Sequence, residues 1–289
     1  MASARSRALV VGASGLVGGA LLRALGHDGV GTYLSRPRPG LVRLDGADRA
    51  GVRRLLDEVR PGSVLFPAAE PSVDWCEDHP EEARERNVSP ALVTLAAAAE
   101  AGAHFVFFSS DYVFDGARGP YSESDVPAPI QVYGRIKLEI EEAVLARGGT
   151  VLRTTTVFGD EPPPGKNFVV RLVARLRASE RVVVPHDQIS TPTWADDLAR
   201  AALAVAREGG VWHAAGPDLL ARDAFARLIA AAFDLDPGLI DAIPTTALGQ
   251  HARRPLRGGL RTERISRLLD APFLSAIEAL ALLYRRSTV

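Results

Sequence analysis

A tyrosine and a lysine stand four residues apart in "YGRIK", from Tyr133 to Lys137. On a helix this spacing puts both side chains on one face, within reach of each other and of a shared ligand. An unperturbed phenol titrates at about pH 10, so proton transfer near neutrality requires a nearby cation, which Lys137 would supply. Because such a pair is common by chance on surface helices, it indicates chemistry only when other parts of a site accompany it.

Two hydroxyls and an acid follow an apolar run in "HFVFFSSDYVFDG". The run at 105–108 predicts a buried strand, which places Ser109, Ser110 and Asp111 at the strand's carboxyl end. Ligands of parallel α/β sheets bind at that edge. Asp111 could instead be a turn residue, because aspartate favours the local hydrogen bonds that end strands.

A glycine fingerprint, "GASGLVG", directly follows the first predicted strand and opens the first predicted helix. Glycine permits a tight turn there and lets a pyrophosphate approach backbone N–H groups at the positive end of the helix. The spacing is GxxGxxG rather than GxGxxG, and a merely structural turn is the alternative. The residues predicted to bind a dinucleotide here are Gly12, Ser14, Gly15, Leu16, Val17 and Gly18.

The stretch "GTYLSRPRPG" after the second strand bears on the choice of coenzyme. An acid at this point would bind a ribose 2′-hydroxyl, whereas a basic residue accommodates a 2′-phosphate. Ser35, Arg36 and Arg38 stand here without a carboxylate, so NADP(H) is preferred and NAD(H) is the alternative, unless the arginines form a solvated loop. Asp45 could contact the adenine or cap the helix that starts near Ala47.

The order of elements predicts an α/β fold, a Rossmann-type doubly wound parallel sheet with a smaller C-terminal substrate lobe. Strands are predicted at Ala8–Val11, Val30–Leu34, Val64–Pro67, Phe105–Phe108 and Thr150–Leu152, and helices near 16–26, 48–60, 80–101, 134–147, 168–178 and 195–207. The segment "GDEPPPGKN" reads as a loop. We expect residues 1–158 and about 190–208 to form the NADP(H)-binding domain, and residues 159–189 and 209–289 to form the lobe.

Composition limits the classes of partner. The 289 residues are 47% apolar and carry a net charge of -1, so no global field favours nucleic acid or a membrane surface. One cysteine, Cys76, excludes an internal disulfide framework, and the six histidines show no metal-ligand spacing, so no metal is expected. With neither the layout of a signal peptide nor the length of a membrane span in view, we expect a cytoplasmic location.

Six stretches in one order resemble the extended short-chain dehydrogenase/reductases, and among them the dTDP-4-dehydrorhamnose reductase family. They are "SSDYVFDG", "YGRIKLEIEE", "LRTTTVFG", "KNFV", "DQISTPTWADDLARA" and "RRPLRGGL". The resemblance runs from the first strand to about residue 265. It is close as well to the regulatory β subunit of methionine adenosyltransferase, a branch of the same family.

By this resemblance, the hydroxyl, phenol and lysine surround the nicotinamide. It implies that Ser110 hydrogen-bonds the substrate carbonyl, that Tyr133 delivers the proton, and that Lys137 binds the nicotinamide ribose and lowers the pKa of the tyrosine. Ser109 would serve the coenzyme or the strand end. The small side chains of Ala68 and Ala69 would let the coenzyme pass.

The resemblance also implies a substrate side made of Ser110, Asp111, Tyr133, Asn167, Phe168 and Arg254. Asn167 and Phe168 would lie against a nucleotide-sugar, and the guanidinium of Arg254 would bind its diphosphate. Phe168 could instead belong to the helix core, and Arg254 to a solvated basic run. Where the rhamnose-forming enzymes typically carry a tryptophan, this chain has Thr156, so the particular sugar stays open.

The sequence therefore predicts an NADP(H)-dependent reductase of the keto group of a nucleotide-activated sugar. A non-catalytic NADP(H)-binding regulatory subunit and a sugar-nucleotide epimerase are the alternatives. The expected partner is the small-molecule substrate, with neither nucleic acid nor membrane involved. A homodimer is left open.

Overall fold

A parallel sheet with helices on both faces forms the centre of the molecule. The computed structural model describes residues 7–161 and 165–287. Within these ranges the central sheet has seven strands, all pairs parallel, in the order β11-β6-β5-β4-β1-β2-β3. Its strands are β1 (Ala8–Val10), β2 (Gly29–Tyr33), β3 (Val42–Arg43), β4 (Ser63–Phe66), β5 (His104–Ser110), β6 (Thr150–Thr154) and β11 (Gly210–His213). The predicted α/β fold class is confirmed, and the strand order reverses between β1 and β4, as in doubly wound sheets.

The six helices for which the sequence predicts bounds lie close to those positions, and the described residues contain further helices for which it gives none. The helices are α1 (Leu16–Leu25), α2 (Arg49–Val59), α3 (Val73–Asp78), α4 (Pro80–Glu100), α5 (Val132–Leu145), α6 (Phe168–Arg177), α7 (Ala195–Ala204), α8 (Arg222–Ala232), α9 (Glu263–Ser266) and α10 (Ala276–Ser287). One face of the sheet packs on α2, α4 and α5, and the other packs on α1 and α7. Strands covered on both faces are mainly apolar: β1 is apolar throughout, and β4 is apolar after Ser63.

A second, smaller core is built from elements after β6. It packs α6, α8 and α10 around Phe158 and Phe225. Short strand pairs complete it: β7 (Val157–Phe158) with β10 (Thr193–Trp194), β8 (Val182–Pro185) with β13 (Ile240–Ile243), and β9 (Ile189–Ser190) with β12 (Leu220–Ala221). This core contains most of the segments that we assigned to the substrate lobe.

One strand lies elsewhere than expected. We placed everything from residue 209 onward in the lobe, but β11 lies at the edge of the central sheet, pairing with β6 from Gly210 opposite Thr150 to His213 opposite Arg153. The side chain of Trp212 packs into the core of the sheet rather than into the lobe. The edge of β6 thereby gains a partner for its backbone groups. The division into two domains otherwise stays a prediction.

The carboxylate of Glu161 links the two ends of the predicted loop at 159–167. Glu161 accepts hydrogen bonds from the backbone N–H groups of Lys166 and Asn167 at 2.7 and 3.0 Å. Residues 162–164 of this loop lie outside the described residues. Across the described chain, we find no helix with the length and apolar character needed to cross a membrane.

Candidate active site

The carboxyl end of β5 and the start of α5 are locked together. Ser110 ends the strand, and the side chain of Gln131 caps α5 by accepting from Gly134 N–H at 2.7 Å while donating to Tyr112 O at 3.2 Å. Gly134 is required here, because a Cβ at this position would lie 2.1 Å from Tyr112 O. This contact fixes the first turn of α5, which carries Tyr133, beside the end of β5.

Lys137 is buried one turn further along α5. Its Nζ donates to Phe108 O at 2.9 Å and lies 4.6 Å from the Phe107 ring centroid and 5.6 Å from that of Tyr133. The residue is only 4% exposed. Burial lowers the pKa of Lys137 to about 8, although the carboxylate of Glu141 opposes the shift. The ammonium group therefore titrates close to neutral pH.

Tyr133 has a raised pKa, in contrast to the expectation that Lys137 would lower it. Burial is the main cause, and Cys76 and Tyr112 shift the pKa in the same direction. The rings of Tyr112 and Tyr133 meet edge to face, with centroids 6.1 Å apart. Desolvation disfavours the phenolate, so Tyr133 stays protonated through neutral pH and is ready to act as a proton donor.

The hydroxyl of Ser110 and the carboxyl of Asp111 organise the turn after β5. Ser110 Oγ accepts from Tyr112 N–H and donates to Asp111 Oδ1, both at 3.2 Å. Asp111 is 3% exposed, and its Oδ2 accepts from Gly259 N–H at 3.3 Å. Burial raises the pKa of Asp111. We expected Asp111 to contact substrate, but the structure uses both of its oxygens within the protein, to join the strand end to the segment at 258–259.

The glycine turn has the shape that a coenzyme pyrophosphate needs. Gly12 has φ +93°, and a Cβ there would lie 2.9 Å from Ala68 Cα, while a Cβ on Gly18 would lie 2.4 Å from Gly12 O. These two glycines are required by the chain itself. Gly15 is different, because its Cβ would meet only Gly12 O at 3.6 Å. Gly15 is also the N-cap of α1 and offers no side-chain cap, so the backbone N–H groups there suit an anionic ligand.

The remaining predicted coenzyme residues surround this turn. Ser14, Leu16 and Val17 are half-buried, Ala69 and Ser35 are exposed, and Arg36 is half-buried in the loop after β2. Ser109 is 4% exposed, and its Oγ has no hydrogen-bond partner. The structure thus brings most of these residues to one edge of the sheet, while the hydroxyl of Ser109 is covered.

Arg38 contacts the glycine turn, a role that the sequence did not assign to it. Its Nε donates to Ser14 O at 3.3 Å, which holds the guanidinium against the glycine turn. Sequence alone could not separate Arg36 from Arg38, because both stand in the same loop. Asp45 is exposed and accepts from Ala47 N–H at 2.9 Å, forming a turn, while the N-cap of α2 is Asp48. Asp45 therefore does not cap the helix.

Asn167 and Phe168 lie at the start of α6. The Asn167 side chain caps this helix by accepting from Val170 N–H at 3.2 Å, and its Nδ2 donates to Gly159 O at 3.2 Å. The residue is buried, so its amide serves the fold rather than an exposed substrate surface. Phe168 is half-buried and stacks near Phe225, with ring centroids 6.0 Å apart.

Arg254 is buried and already paired. Its Nη2 lies 2.8 Å from Asp74 Oδ2 on α3, and its Nη1 donates to Ala252 O at 2.9 Å. Its side chain is 8% exposed. Arg254 therefore does not belong to a solvated basic run. Its Nη1 and Nη2 nevertheless already donate to groups of the protein itself.

Two features of the candidate substrate side could not be predicted from the sequence: the backbone conformation of Thr156 and the position of Arg222. Thr156 has φ +42°, a conformation that β-branched residues rarely adopt and that is commonest at functional sites. Arg222, at the start of α8, donates through Nη2 to Thr156 Oγ1 at 3.4 Å and lies 4.9 Å from the Phe168 ring centroid. An arginine opening an amphipathic helix is ordinarily a surface residue, so only the fold identifies its position.

The described ranges contain no cluster of three or more histidine, cysteine, aspartate or glutamate side chains that could hold a metal ion. The groups that the structure places at this edge of the sheet are a glycine turn, a serine, a protonated tyrosine and a lysine. A parallel sheet in this strand order with these groups at its carboxyl edge defines an extended short-chain dehydrogenase/reductase. Residues 6–288 match the RmlD substrate binding domain family, and the chain belongs to that family.

Individual proteins similar to this chain come from both branches that the sequence resembles. The chain is 34% identical over 278 residues to dTDP-4-dehydrorhamnose reductase of Burkholderia thailandensis, a match that covers 89% of this chain and 91% of that protein. It is 32% identical over 289 residues to methionine adenosyltransferase 2 subunit beta of Danio rerio, covering 94% and 88%. The structure superposes with a TM-score of 0.87 on dTDP-4-dehydrorhamnose reductase from Bacillus anthracis in complex with NADP, at 25% identity, covering 98% of this chain and 100% of that one. The predicted resemblance is confirmed.

Proposed function

We propose that this chain is a cytoplasmic NADP(H)-dependent reductase of the keto group of a nucleotide-activated sugar. The observation that carries the proposal is the packing of Tyr133, with its raised pKa, 5.6 Å from Lys137 Nζ and next to the end of β5. The complex of the Bacillus anthracis reductase with NADP supports the choice of coenzyme. NADPH, when bound, would supply the hydride for the carbonyl carbon.

The residues of the chain would divide the remaining work. The glycine turn and the N-terminus of α1 bind the pyrophosphate, and Ser110 orients the carbonyl oxygen. Rotation of the Ser110 O–H away from Asp111 frees it for the carbonyl, while Ser110 Oγ still accepts from Tyr112 N–H. Tyr133 transfers its proton to the oxygen, and the positive charge of Lys137 stabilises the tyrosinate that forms.

This division predicts how the reduction depends on pH. Lys137 has a pKa of about 8, so it is charged below that pH and neutral above it. The pKa of Tyr133 is raised, so the phenol keeps its proton throughout this range. We expect kcat for reduction to be level below pH 8 and to fall as the pH rises through about 8, because neutral Lys137 no longer stabilises the tyrosinate. Steady-state rates across the pH range measure this, and Lys137→Met should abolish the transition; a wild-type profile with no transition in that region would exclude this role for Lys137.

The coenzyme preference is tested by two arginines of one loop. Arg36→Ala should weaken NADPH binding by about 1.5–3 kcal/mol, the value of a charged hydrogen bond, and leave NADH binding nearly unchanged. Arg38→Ala is the matched comparison: its Nε supports Ser14 O, so its loss should affect both coenzymes to a similar degree. Calorimetric titration of both variants gives the values. Equal losses for the two coenzymes in Arg36→Ala would mean that Arg36 does not bind the 2′-phosphate.

Nucleotide binding tests the substrate class directly. A reductase of nucleotide-sugars must hold the diphosphate away from the reacting carbon, so a nucleoside diphosphate such as dTDP should bind the NADPH complex. Calorimetry with dTDP on the NADPH-saturated protein measures this. If the nucleoside diphosphate does not bind at millimolar concentration, the substrate belongs to another class of carbonyl compound, or the protein is not a reductase.

A second function is favoured by one observation. The relative from Danio rerio, 32% identical over 94% of this chain, is a subunit of methionine adenosyltransferase, so a regulatory subunit that binds NADP(H) without turnover is the alternative. Hydride transfer separates the two functions, because only the reductase consumes NADPH. A homodimer remains a prediction, which light scattering would test.

A further inference from the structure

Arg222 is a cation at the substrate side whose hydrogen-bonding capacity is hardly used. A guanidinium has five N–H donors, yet the only hydrogen bond of the Arg222 side chain to a described residue is the long one, 3.4 Å, from Nη2 to Thr156 Oγ1. Its remaining contact is with the face of the Phe168 ring, 4.9 Å away. The backbone is firmly held, because Arg222 N–H donates to Gln188 O at 2.8 Å.

Two arginines with buried side chains have carboxylate partners. Arg153 pairs with Glu141, and Arg254 pairs with Asp74 at 2.8 Å. Among the described residues, Arg222 has no carboxylate within ion-pair distance. The groups that act on it electrostatically are the Tyr112 phenol and the Asp111 carboxyl, and the oxygens of Asp111 are bound to Ser110 and Gly259. Arg222 is half-buried and stays protonated, so its charge is left without a direct counterion.

The surroundings of Arg222 belong to the candidate active site. Asp111 directly follows Ser110, and Thr156, with its unusual φ of +42°, holds Oγ1 2.9 Å from Ser190 Oγ and within reach of Arg222. The segment before α8 is fixed by strand pairing of Leu220 and Ala221 with β9. A cation held this rigidly beside the reacting end of the sheet is suited to bind a ligand group.

We propose that Arg222 binds an anionic group of the substrate through forked hydrogen bonds, either the diphosphate or a carboxylate on the sugar. This inference rests on the proposed function and assigns to Arg222 a role that the sequence gave to Arg254. Arg254 is the poorer candidate, since its Nη1 and Nη2 are bound to Ala252 O and Asp74. Phosphate and carboxylate both accept two parallel N–H bonds from guanidinium, so both sources remain for the test.

Calorimetry on the NADPH-saturated protein distinguishes these sources. The probes are dTDP, UDP-glucose and UDP-glucuronate, and the variants are Arg222→Ala, Arg222→Lys and Arg254→Ala. Arg227→Ala is the matched control, because Arg227 is an exposed arginine on the same helix. NADPH affinity, measured on each variant, reports whether the fold is intact.

Arg222→Ala should weaken binding of the anionic ligand about 10- to 100-fold without changing NADPH affinity, and Arg227→Ala should not. Arg222→Lys should restore only part of the affinity, because an ammonium lacks the fork. An equal loss for all three probes identifies the diphosphate, and a loss confined to UDP-glucuronate identifies a carboxylate. If the wild type binds the probes and Arg222→Ala binds them equally well, the inference is overturned while the proposed function stands. If the wild type binds none of them, both fail.

Discussion

Tyr133→Phe should lower the rate of carbonyl reduction by about 10²- to 10⁴-fold, the contribution of a general acid, while NADPH binds nearly as before. The substitution removes one hydroxyl and keeps the ring that packs edge to face on Tyr112. The affected quantity is therefore proton transfer, and kcat should fall much more than NADPH affinity. Stopped-flow measurement of NADPH oxidation, together with a coenzyme titration, separates the two.

Tyr112→Phe is the matched control for this result. Its ring lies 6.1 Å from that of Tyr133 and is half-buried beside the same turn, but Lys137 contacts the ring of Tyr133. We expect a loss of less than about tenfold for Tyr112→Phe, since a lost hydroxyl without a role in proton transfer costs little more than a hydrogen bond. Full activity of Tyr133→Phe, or an equal loss in both variants, would remove Tyr133 from the mechanism.

Glu141→Gln should destabilise the protein by about 3–5 kcal/mol, because it leaves a buried guanidinium without its counterion. Glu141 and Arg153 have side chains 1% and 4% exposed. Arg153 Nε donates to both carboxylate oxygens, at 2.9 and 3.1 Å, and Nη2 adds a third bond at 2.5 Å. The remaining amino group, Arg153 Nη1, has no hydrogen-bond partner. Chemical denaturation, followed by circular dichroism, measures the free energy of unfolding.

Glu139 provides the control, two residues away on the same helix. Its carboxylate pairs with Arg84 at the surface, where the two side chains are 37% and 61% exposed, so Glu139→Gln should change stability little. Replacing both buried partners, as in Glu141→Leu with Arg153→Met, should recover much of the loss, because no buried charge is then left alone. A loss in Glu141→Gln no larger than in Glu139→Gln would show that the pair does not stabilise the fold.

The buried pair also connects stability to the site. Glu141 lies one helical turn beyond Lys137 and raises the pKa of that lysine against the effect of burial. Arg153 stands opposite Ser109 in the β5–β6 register. The pair therefore joins α5, which carries Tyr133 and Lys137, to the strand beside the one that carries Ser110.

Local patterns made the elements of this fold predictable. The runs at β1, β4 and β5 are short, apolar and buried on both faces, which predicts strands. The segments between them repeat their apolar residues at the spacing of a helix, which predicts helices. The glycine fingerprint could be predicted for a similar reason. A side chain on Gly18 would collide with Gly12 O, only six residues earlier, and a side chain on Gly12 would collide with Ala68. The family resemblance then supplied the candidate site residues Ser110, Tyr133 and Lys137.

What the sequence missed depends on contacts between distant segments. Arg254 reaches Asp74 across 180 positions of the chain, and Asp111 binds Gly259 across 148. No local pattern records such pairs, so Arg254 was assigned to a diphosphate and Asp111 to the substrate. Burial also depends on distant segments, so local sequence does not show it. Whether a lysine lowers a tyrosine's pKa, or desolvation raises it, depends on how completely the surrounding elements cover both groups.

Turnover tests most directly whether this chain catalyses hydride transfer from NADPH to a nucleotide-sugar. The purified protein is mixed with NADPH and a dTDP-4-keto-6-deoxy sugar, and coenzyme oxidation is followed alongside identification of the sugar product. We expect one NADPH to be oxidised for each keto group reduced to an alcohol, at a rate that Tyr133→Phe lowers by about 10²-fold or more. Tight NADPH binding with no oxidation by any nucleotide keto-sugar would contradict the account and identify the protein as a coenzyme-binding partner of another enzyme.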